Sequence, residues 1–176
     1  MSKIFLLVFS AIIIAMSCNQ INSQNIDFSG VNGFRIGQNV DSLISRIKMN
    51  SLYDYEFIDS VCQIKDKDSN VVFTLTFSNR KIECVGVFSD KYVFNEIKVG
   101  SKILDIKKRY PDMMITYIND LEYECVELWD DRKENKIQII LSKEENLIGH
   151  YKSLLNPTSE FTLNGKVEGF LIFKEL

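Results

Sequence analysis

Two pairs of glutamates and a single histidine are the residues of this 176-residue chain whose types could carry acid–base or nucleophilic chemistry. Catalysis by carboxylates needs two of them in different environments that face one cleft. Glu122 and Glu124 are two positions apart on a predicted strand, so both side chains are expected on one face, in solvent. The other pair is Glu144 and Glu145. A serine nucleophile would need His150 as its base, and the sequence contains no GxSxG motif around a serine. The sequence therefore predicts no catalytic residues and a protein that is not an enzyme.

One loop has the spacing of a calcium site. Asp66, Asp68 and Asn70 place oxygen atoms at alternate positions, as the start of an EF-hand loop does. The sixth position of that loop is Val71 instead of glycine, and the twelfth is Phe77 instead of glutamate. The chain has one histidine, no CxxC pair and scattered glycines, which argues against a zinc site and a phosphate-binding loop. We therefore predict a solvated turn at this loop, and no metal or cofactor.

The first 17 residues have the features of an export signal. Lys3 supplies a positive charge near the start, and residues 4–14 are apolar apart from one serine. This run is shorter than the roughly 20 residues that a membrane-spanning helix needs. Small residues stand one and three positions before Cys18, where cleavage of such a signal is expected.

These positions before Cys18 resemble the lipobox of bacterial lipoproteins. The resemblance implies cleavage before Cys18 and acylation of its side chain and amine, and two or more acyl chains anchor a protein stably in a membrane. Residues 18–30 would then be the lipidated cysteine and a polar tether. The alternative is an ordinary secretory signal in which Cys18 has no special role.

The other three cysteines are Cys62, Cys84 and Cys125. An odd number in an exported protein allows at most one disulfide within the chain. Cys62 and Cys84 fall on the inward-facing phases of their predicted strands, where a free cysteine behaves as a small apolar residue. We therefore expect buried thiols.

Two stretches that are copies of each other organise the fold. In each, a short apolar segment meets a glycine and is followed by apolar residues at helical spacing. Gly37 and Gly100 lie 63 positions apart, as do Cys62 and Cys125. A repeated strand–glycine–helix start suggests two similar modules in tandem.

Each copy predicts one helix followed by strands. Asn39 and Ser101 are the expected N-caps of the two helices. Alternating apolar residues predict strands over residues 57–65, 71–77, 81–88, 121–129, 136–141 and 166–173. Tight hairpins are expected at residues 78–81, which sets Phe77 opposite Ile82, and at Asn164-Gly165.

The predicted fold class is therefore α+β. Its two tandem modules would comprise residues 31–95 and 96–176, each a short helix packed on one face of an antiparallel sheet. The second module would carry an insertion near residues 142–160, which could be a binding loop or a longer hairpin.

The second module also has many aromatic residues next to acidic ones. Exposed aromatic side chains anchor protein interfaces, although packing in the core would explain them as well. The candidate partner-binding residues are Tyr117, Glu122, Tyr123, Glu124, Trp129 and Tyr151.

The repeated pattern resembles the small envelope modules of the BamE (SmpA/OmlA) type, and its tandem arrangement resembles the β-lactamase-inhibitor protein. The positions that carry the resemblance are Ile36, Gly37, Val40 and Leu43, then Val99, Gly100, Ile103 and Ile106. The resemblance implies protein binding without catalytic residues, across a sheet in the case of the inhibitor.

Taken together, these features predict a non-enzymatic envelope lipoprotein that binds or assembles other proteins. Its formal net charge of −3 does not fit a nucleic-acid binder. The expected location is the bacterial outer membrane, facing the periplasm, because no acidic run follows Cys18. An inhibitor or immunity protein that neutralises a secreted enzyme or toxin is the alternative. An enzyme and a structural lipoprotein without a dedicated partner are the remaining classes.

Overall fold

A computed structural model describes residues 25–48, 52–142 and 147–174. The predicted signal, Cys18 and the pair Glu144 and Glu145 lie outside these residues. The elements of the first half are β1 (Ile26–Asp27), β2 (Gly30–Val31), β3 (Phe34–Arg35), α1 (Val40–Lys48), β4 (Asp54–Ile58), β5 (Val61–Lys65), β6 (Val71–Ser78) and β7 (Lys81–Val87).

The elements of the second half are β8 (Val93–Phe94), β9 (Ile97–Lys98), α2 (Ile103–Arg109), β10 (Thr116–Ile118), a 3₁₀ turn (Asn119–Leu121), β11 (Tyr123–Trp129), β12 (Asn135–Ser142) and β13 (Lys166–Lys174). Neither α1 nor α2, nor any other helix within the described residues, has the length and apolar character needed to cross a membrane.

The longer strands form one sheet, and the predicted fold of two helix-on-sheet modules is wrong. The sheet has eight strands in the order β10-β11-β12-β13-β7-β6-β5-β4. Strands from the two halves meet where β13 pairs with β7, for example Phe173 opposite Cys84. Joining the halves gives β7 and β13 hydrogen-bond partners that each would lack at the edge of a separate sheet.

The pairing of β7 with β13 is symmetric. The segments that begin these strands, Lys-Ile-Glu at 81–83 and Lys-Val-Glu at 166–168, correspond to each other. Val85 then corresponds to Phe170, and Val87 to Ile172. The structure pairs Phe170 with Val87 and Ile172 with Val85. Exchanging the two halves therefore leaves this register unchanged.

The local repeat that the sequence indicates is present around the two glycines. Gly37 has φ 80° and Gly100 has φ 86°, in the left-handed region that glycine favours. The Gly37 N–H donates to the Ile82 carbonyl at 2.7 Å, and the Gly100 N–H donates to the Val167 carbonyl at 2.8 Å. Each helix is thus attached in the same way to the start of β7 or β13.

The helices begin close to where the sequence predicts. Asn39 caps α1, because its side-chain oxygen accepts the Asp41 N–H at 2.8 Å. Ser101 does not cap α2; its hydroxyl accepts the Lys98 N–H at 3.0 Å, and α2 begins at Ile103. Buried residues of both helices join one core with the inner side of the sheet, including Leu43, Ile103, Ile106, Phe73 and Phe170.

Two further predictions about strands are wrong. Residues 57–65 are not one strand but parts of β4 and β5, which are joined by a tight turn in which Asp59 has φ 51°. Asn164-Gly165 does not close a hairpin. Phe161 instead bridges to Gly149, and β13 pairs with β12 and β7.

The predicted hairpin at residues 78–81 is confirmed. Phe77 lies opposite Ile82, and the two turn residues, Asn79 and Arg80, have φ 49° and 63°. Positive φ at both positions is typical of a type I′ turn.

Arg80→Gly should stabilise the protein. Arginine is strained at φ 63°, and glycine relieves this strain. The substitution also removes an exposed ion pair with Asp41 and makes the unfolded chain more flexible, but these two costs are smaller. The free energy of unfolding should therefore rise by roughly 0.5–1 kcal/mol. The midpoint of urea unfolding would measure it. Asn79→Gly is the matched control and should change stability less, because asparagine tolerates this conformation; an equal gain from both variants would contradict the argument.

Candidate functional site

Side chains on the sheet surface opposite the helices form rows across the strands, and we call this surface the outer face. The register gives one row of Trp129, Lys136, Phe173 and Cys84, and a second of Glu127, Gln138, Leu171 and Gly86. The alternate residues of β12, Ile137 and Ile139, belong to the core with the helices, whereas Ile140 does not. The outer face is therefore separate from the main core.

A hydrogen-bonded network crosses the outer face. The Tyr123 hydroxyl donates to Gln138 Oε1 at 2.5 Å, and Gln138 Nε2 donates to Glu127 Oε1 at 2.8 Å. Lys136 Nζ forms an ion pair with the same Glu127 oxygen at 2.9 Å. Gln138 is buried, and burial raises the pKa of Tyr123 well above its usual value. The network therefore holds its side chains in fixed positions.

Lys136 also lies between two aromatic rings. Its Nζ is 4.8 Å from the ring centroid of Trp129 and 4.9 Å from that of Phe173. Contacts of this kind contribute about 0.5–1 kcal/mol at exposed sites and more when desolvated. The lysine thus fixes the orientation of Trp129, which remains 37% exposed.

Phe88 covers the centre of the outer face. Gly86 and Gly169 stand on adjacent strands, and a Cβ on either would lie 2.8 Å from a Phe88 ring carbon. The absence of side chains at these glycines lets the ring lie close to the sheet.

The three described cysteines are free thiols, as predicted. Cys62 and Cys125 are buried. Cys84 is half-buried on the outer face and not inside, because a bulge between Thr76 and Phe77 shifts the alternation of β7. Burial raises the pKa of Cys62 to about 11 and those of Cys84 and Cys125 to about 12.

The prediction that Glu122 and Glu124 share a solvent-exposed face is wrong. Glu122 precedes β11 and has φ 53°, so it does not continue the strand alternation. Glu124 is only 1% exposed and lies on the inner side, opposite Tyr117. No pattern in the sequence separates these two glutamates.

Glu124 holds the predicted insertion against the sheet. Its carboxylate accepts the N–H groups of Ile148 and Gly149, each at 2.7 Å, and the Tyr151 hydroxyl at 2.9 Å. Burial and then the hydrogen bond to Glu124 raise the pKa of Tyr151. Further along, the Thr158 N–H and C=O both bond to Ile115. The described part of the insertion therefore lies beside β10 at the end of the sheet.

The six candidate partner-binding residues thus occupy three places. Tyr123 and Trp129 are on the outer face. Tyr117 and Tyr151 stand near Glu124 on the inner side, with ring centroids 6.3 Å apart, and Glu122 is exposed in a turn. The sequence pattern missed Gln138, Glu127 and Lys136, which connect the aromatic residues of the outer face.

Within the described residues, no group of three or more histidine, cysteine or acidic side chains could hold a metal ion. In the loop considered for calcium, Asp66 Oδ1 accepts the N–H groups of Asp68 and Asn70, both at 3.0 Å. The bond from the Asn70 N–H lowers the pKa of Asp66. This carboxylate closes the turn.

No protein-family model and no curated protein matches the chain. Among solved structures, the uncharacterized protein yfeY from Escherichia coli is similar, with a TM-score of 0.52 and 14% identity, over 86% of this chain and 99% of that one. A cysteine-rich secretory protein from Staphylococcus aureus matches with a TM-score of 0.40 and 13% identity, over 88% of this chain and 48% of that one. With a TM-score above 0.5 and 14% identity, the likeness to yfeY bears on the fold alone, and neither match indicates an activity.

Proposed function

We propose that this protein is a non-enzymatic lipoprotein of the bacterial cell envelope that binds another protein through the outer face. The observation that carries the proposal is the network of Tyr123, Gln138, Glu127 and Lys136 that holds Trp129 at the surface. Interface anchors are enriched in tryptophan and tyrosine. Side chains that are already ordered lose less conformational entropy when a partner binds.

The carboxylates near these aromatic residues support binding over catalysis. Glu124 accepts three hydrogen bonds, and Glu127 is bound to Lys136 and Gln138. These contacts give both carboxylates a structural role. The anchor at Cys18 would keep the folded part at a membrane surface, where its partner would also be found.

Photocrosslinking in cells would test the proposed interface. A benzophenone amino acid at Ile118, whose neighbour across the strands is Tyr123, should crosslink to one defined protein. The same amino acid at Leu104, which is exposed on α2, is the matched control and should not. Capture of an envelope-assembly component would indicate an assembly factor, and capture of a secreted enzyme or toxin would indicate an inhibitor. Equal products from both positions, or none from Ile118, would contradict the proposal.

Trp129→Ala should weaken this interaction about tenfold or more, as is typical of an aromatic interface anchor. The free energy of unfolding should fall by about 2–3 kcal/mol, because most of the side chain is buried and its contact with Lys136 is lost. The yield of crosslinked product and urea unfolding would measure the two effects. Leu104→Ala is the control; an unchanged yield in Trp129→Ala would remove this residue from the interface.

A further inference from the structure

At one end of the sheet, residues 110–114 and residues 126–129 of β11 lie on either side of a gap that we call the fork. β10 pairs only with residues 123–125 of β11, and among the described residues no strand pairs with residues 126–129 on that side. Continuing the same register would place Met114 opposite Glu127 and Asp112 opposite Trp129. The chain diverges from β11 before that point, because the backbone of Ile115 bonds to Thr158 at 2.8 and 2.9 Å.

A cleft of about 490 Å³ lies in this fork. Much of its lining is apolar or aromatic, from Tyr110, Met113, Met114, Leu128, Trp129 and Pro157, and charged groups come from Arg109, Asp112 and Glu127. Met114 is 47% exposed and Trp129 is 37% exposed. Methionine side chains adapt to apolar groups of different shapes. The cleft therefore offers apolar contacts to side chains that enter it, with charged groups beside them.

The unpaired edge of β11 favours binding of a chain in an extended conformation. Backbone N–H and C=O groups along a strand edge are best satisfied by another extended chain, in which alternate side chains point to one side. Four residues of strand span about 13 Å. Residues 126–129 contain neither lysine nor proline, which commonly block such edges, and their one charged side chain, Glu127, is paired with Lys136. An extended peptide can thus bond to the edge while its alternate side chains enter the cleft.

We propose that this fork binds an extended segment of a partner protein by strand addition to β11, with apolar side chains at alternate positions in the cleft. The inference rests on the proposed function, because it adds a second contact with the partner that the outer face binds. Trp129 joins the two contacts, since it lies both on the outer face and in the cleft.

Peptides displayed on phage would test the proposal. A library of random octapeptides would be selected on the full-length chain in mild detergent, and the enriched peptides synthesised. We expect apolar residues at alternate positions and binding at least about tenfold weaker to Met114→Glu, which places a charge in the cleft. Leu104→Glu is the matched control and should bind normally. N-methylation of one alternating set of peptide amides should abolish binding, and methylation of the other set should not.

Other outcomes would overturn the inference. Absence of enriched peptides, binding that Met114→Glu does not change, or equal effects of both N-methylated sets would exclude strand addition at the fork. A dimer of the free protein that Met114→Glu dissociates would show that a second copy occupies the edge. If Ile118 gives its crosslink in the parent protein in any of these cases, the inference fails and the proposed function stands. If Ile118 gives no crosslink, the inference and the proposed function both fail.

Discussion

Glu124→Ala should lower the free energy of unfolding by about 3–5 kcal/mol. The substitution removes an acceptor of three hydrogen bonds and leaves the N–H groups of Ile148 and Gly149 without it. Hydrogen bonds to a charged group are worth roughly 1.5–3 kcal/mol each, and a buried donor left unsatisfied costs about 1–3 kcal/mol. The insertion should then open at lower free energy than the rest of the sheet. Amide hydrogen exchange at Ile148 and Gly149 and urea unfolding would measure these effects.

Glu122→Ala is the matched control, since it removes the same side chain from an exposed position nearby. Its free energy of unfolding should change by less than about 0.5 kcal/mol. Glu124→Gln should lower the free energy of unfolding by more than Glu122→Ala and by less than Glu124→Ala, because the amide keeps one acceptor oxygen but turns an N–H donor toward other donors. Equal stabilities of the Glu122 and Glu124 variants would refute the assigned role.

The protein should lose stability as the pH rises above about 9. A thiol has an ordinary pKa of 9.0, whereas burial raises those of Cys62, Cys84 and Cys125 to about 11, 12 and 12. Between these values the unfolded chain releases protons that the folded chain retains, so each pH unit favours unfolding by up to about 1.4 kcal/mol per thiol. Urea unfolding under reducing conditions from pH 8 to 11 would measure the decline.

Cys125→Ala separates this effect from general alkaline damage. The variant starts from lower stability at neutral pH because of the lost packing, but between pH 9 and 10 its slope against pH should be shallower by about one third, since one of three thiols is gone. Identical slopes for the variant and the parent would show that Cys125 does not titrate as argued. Above pH 10 the raised pKa of Tyr92, Tyr123 and Tyr151 should add to the decline in the same direction.

The features that could be predicted from the sequence are local. Asn39 as an N-cap and the turn at Asn79-Arg80 depend on neighbouring residues, and both are present. Which strands pair across the two halves could not be predicted. Alternation of apolar residues shows which face of a strand is buried but not which strand lies beside it. Two isolated modules and one eight-stranded sheet therefore give the same sequence pattern.

The errors at the candidate site have a similar cause. Cys84 faces outward because of one bulge, and Glu124 faces inward because β11 begins after Glu122. A shift of a single residue reverses the face of every side chain that follows. The sequence therefore indicates the aromatic residues as candidates, but only the register of the strands divides them between the outer face and the inner side.

The symmetric pairing of β7 and β13 has an evolutionary consequence. A strand whose register is unchanged by exchange with its counterpart can pair with an identical strand, so a half-length chain could have formed the same sheet as a homodimer about a two-fold axis. Gene duplication followed by fusion would make that association independent of protein concentration. It would also free the halves to diverge. The insertion held by Glu124 and the network around Lys136 both belong to one half, as expected if that half specialised after fusion while the other retained a mainly supporting role.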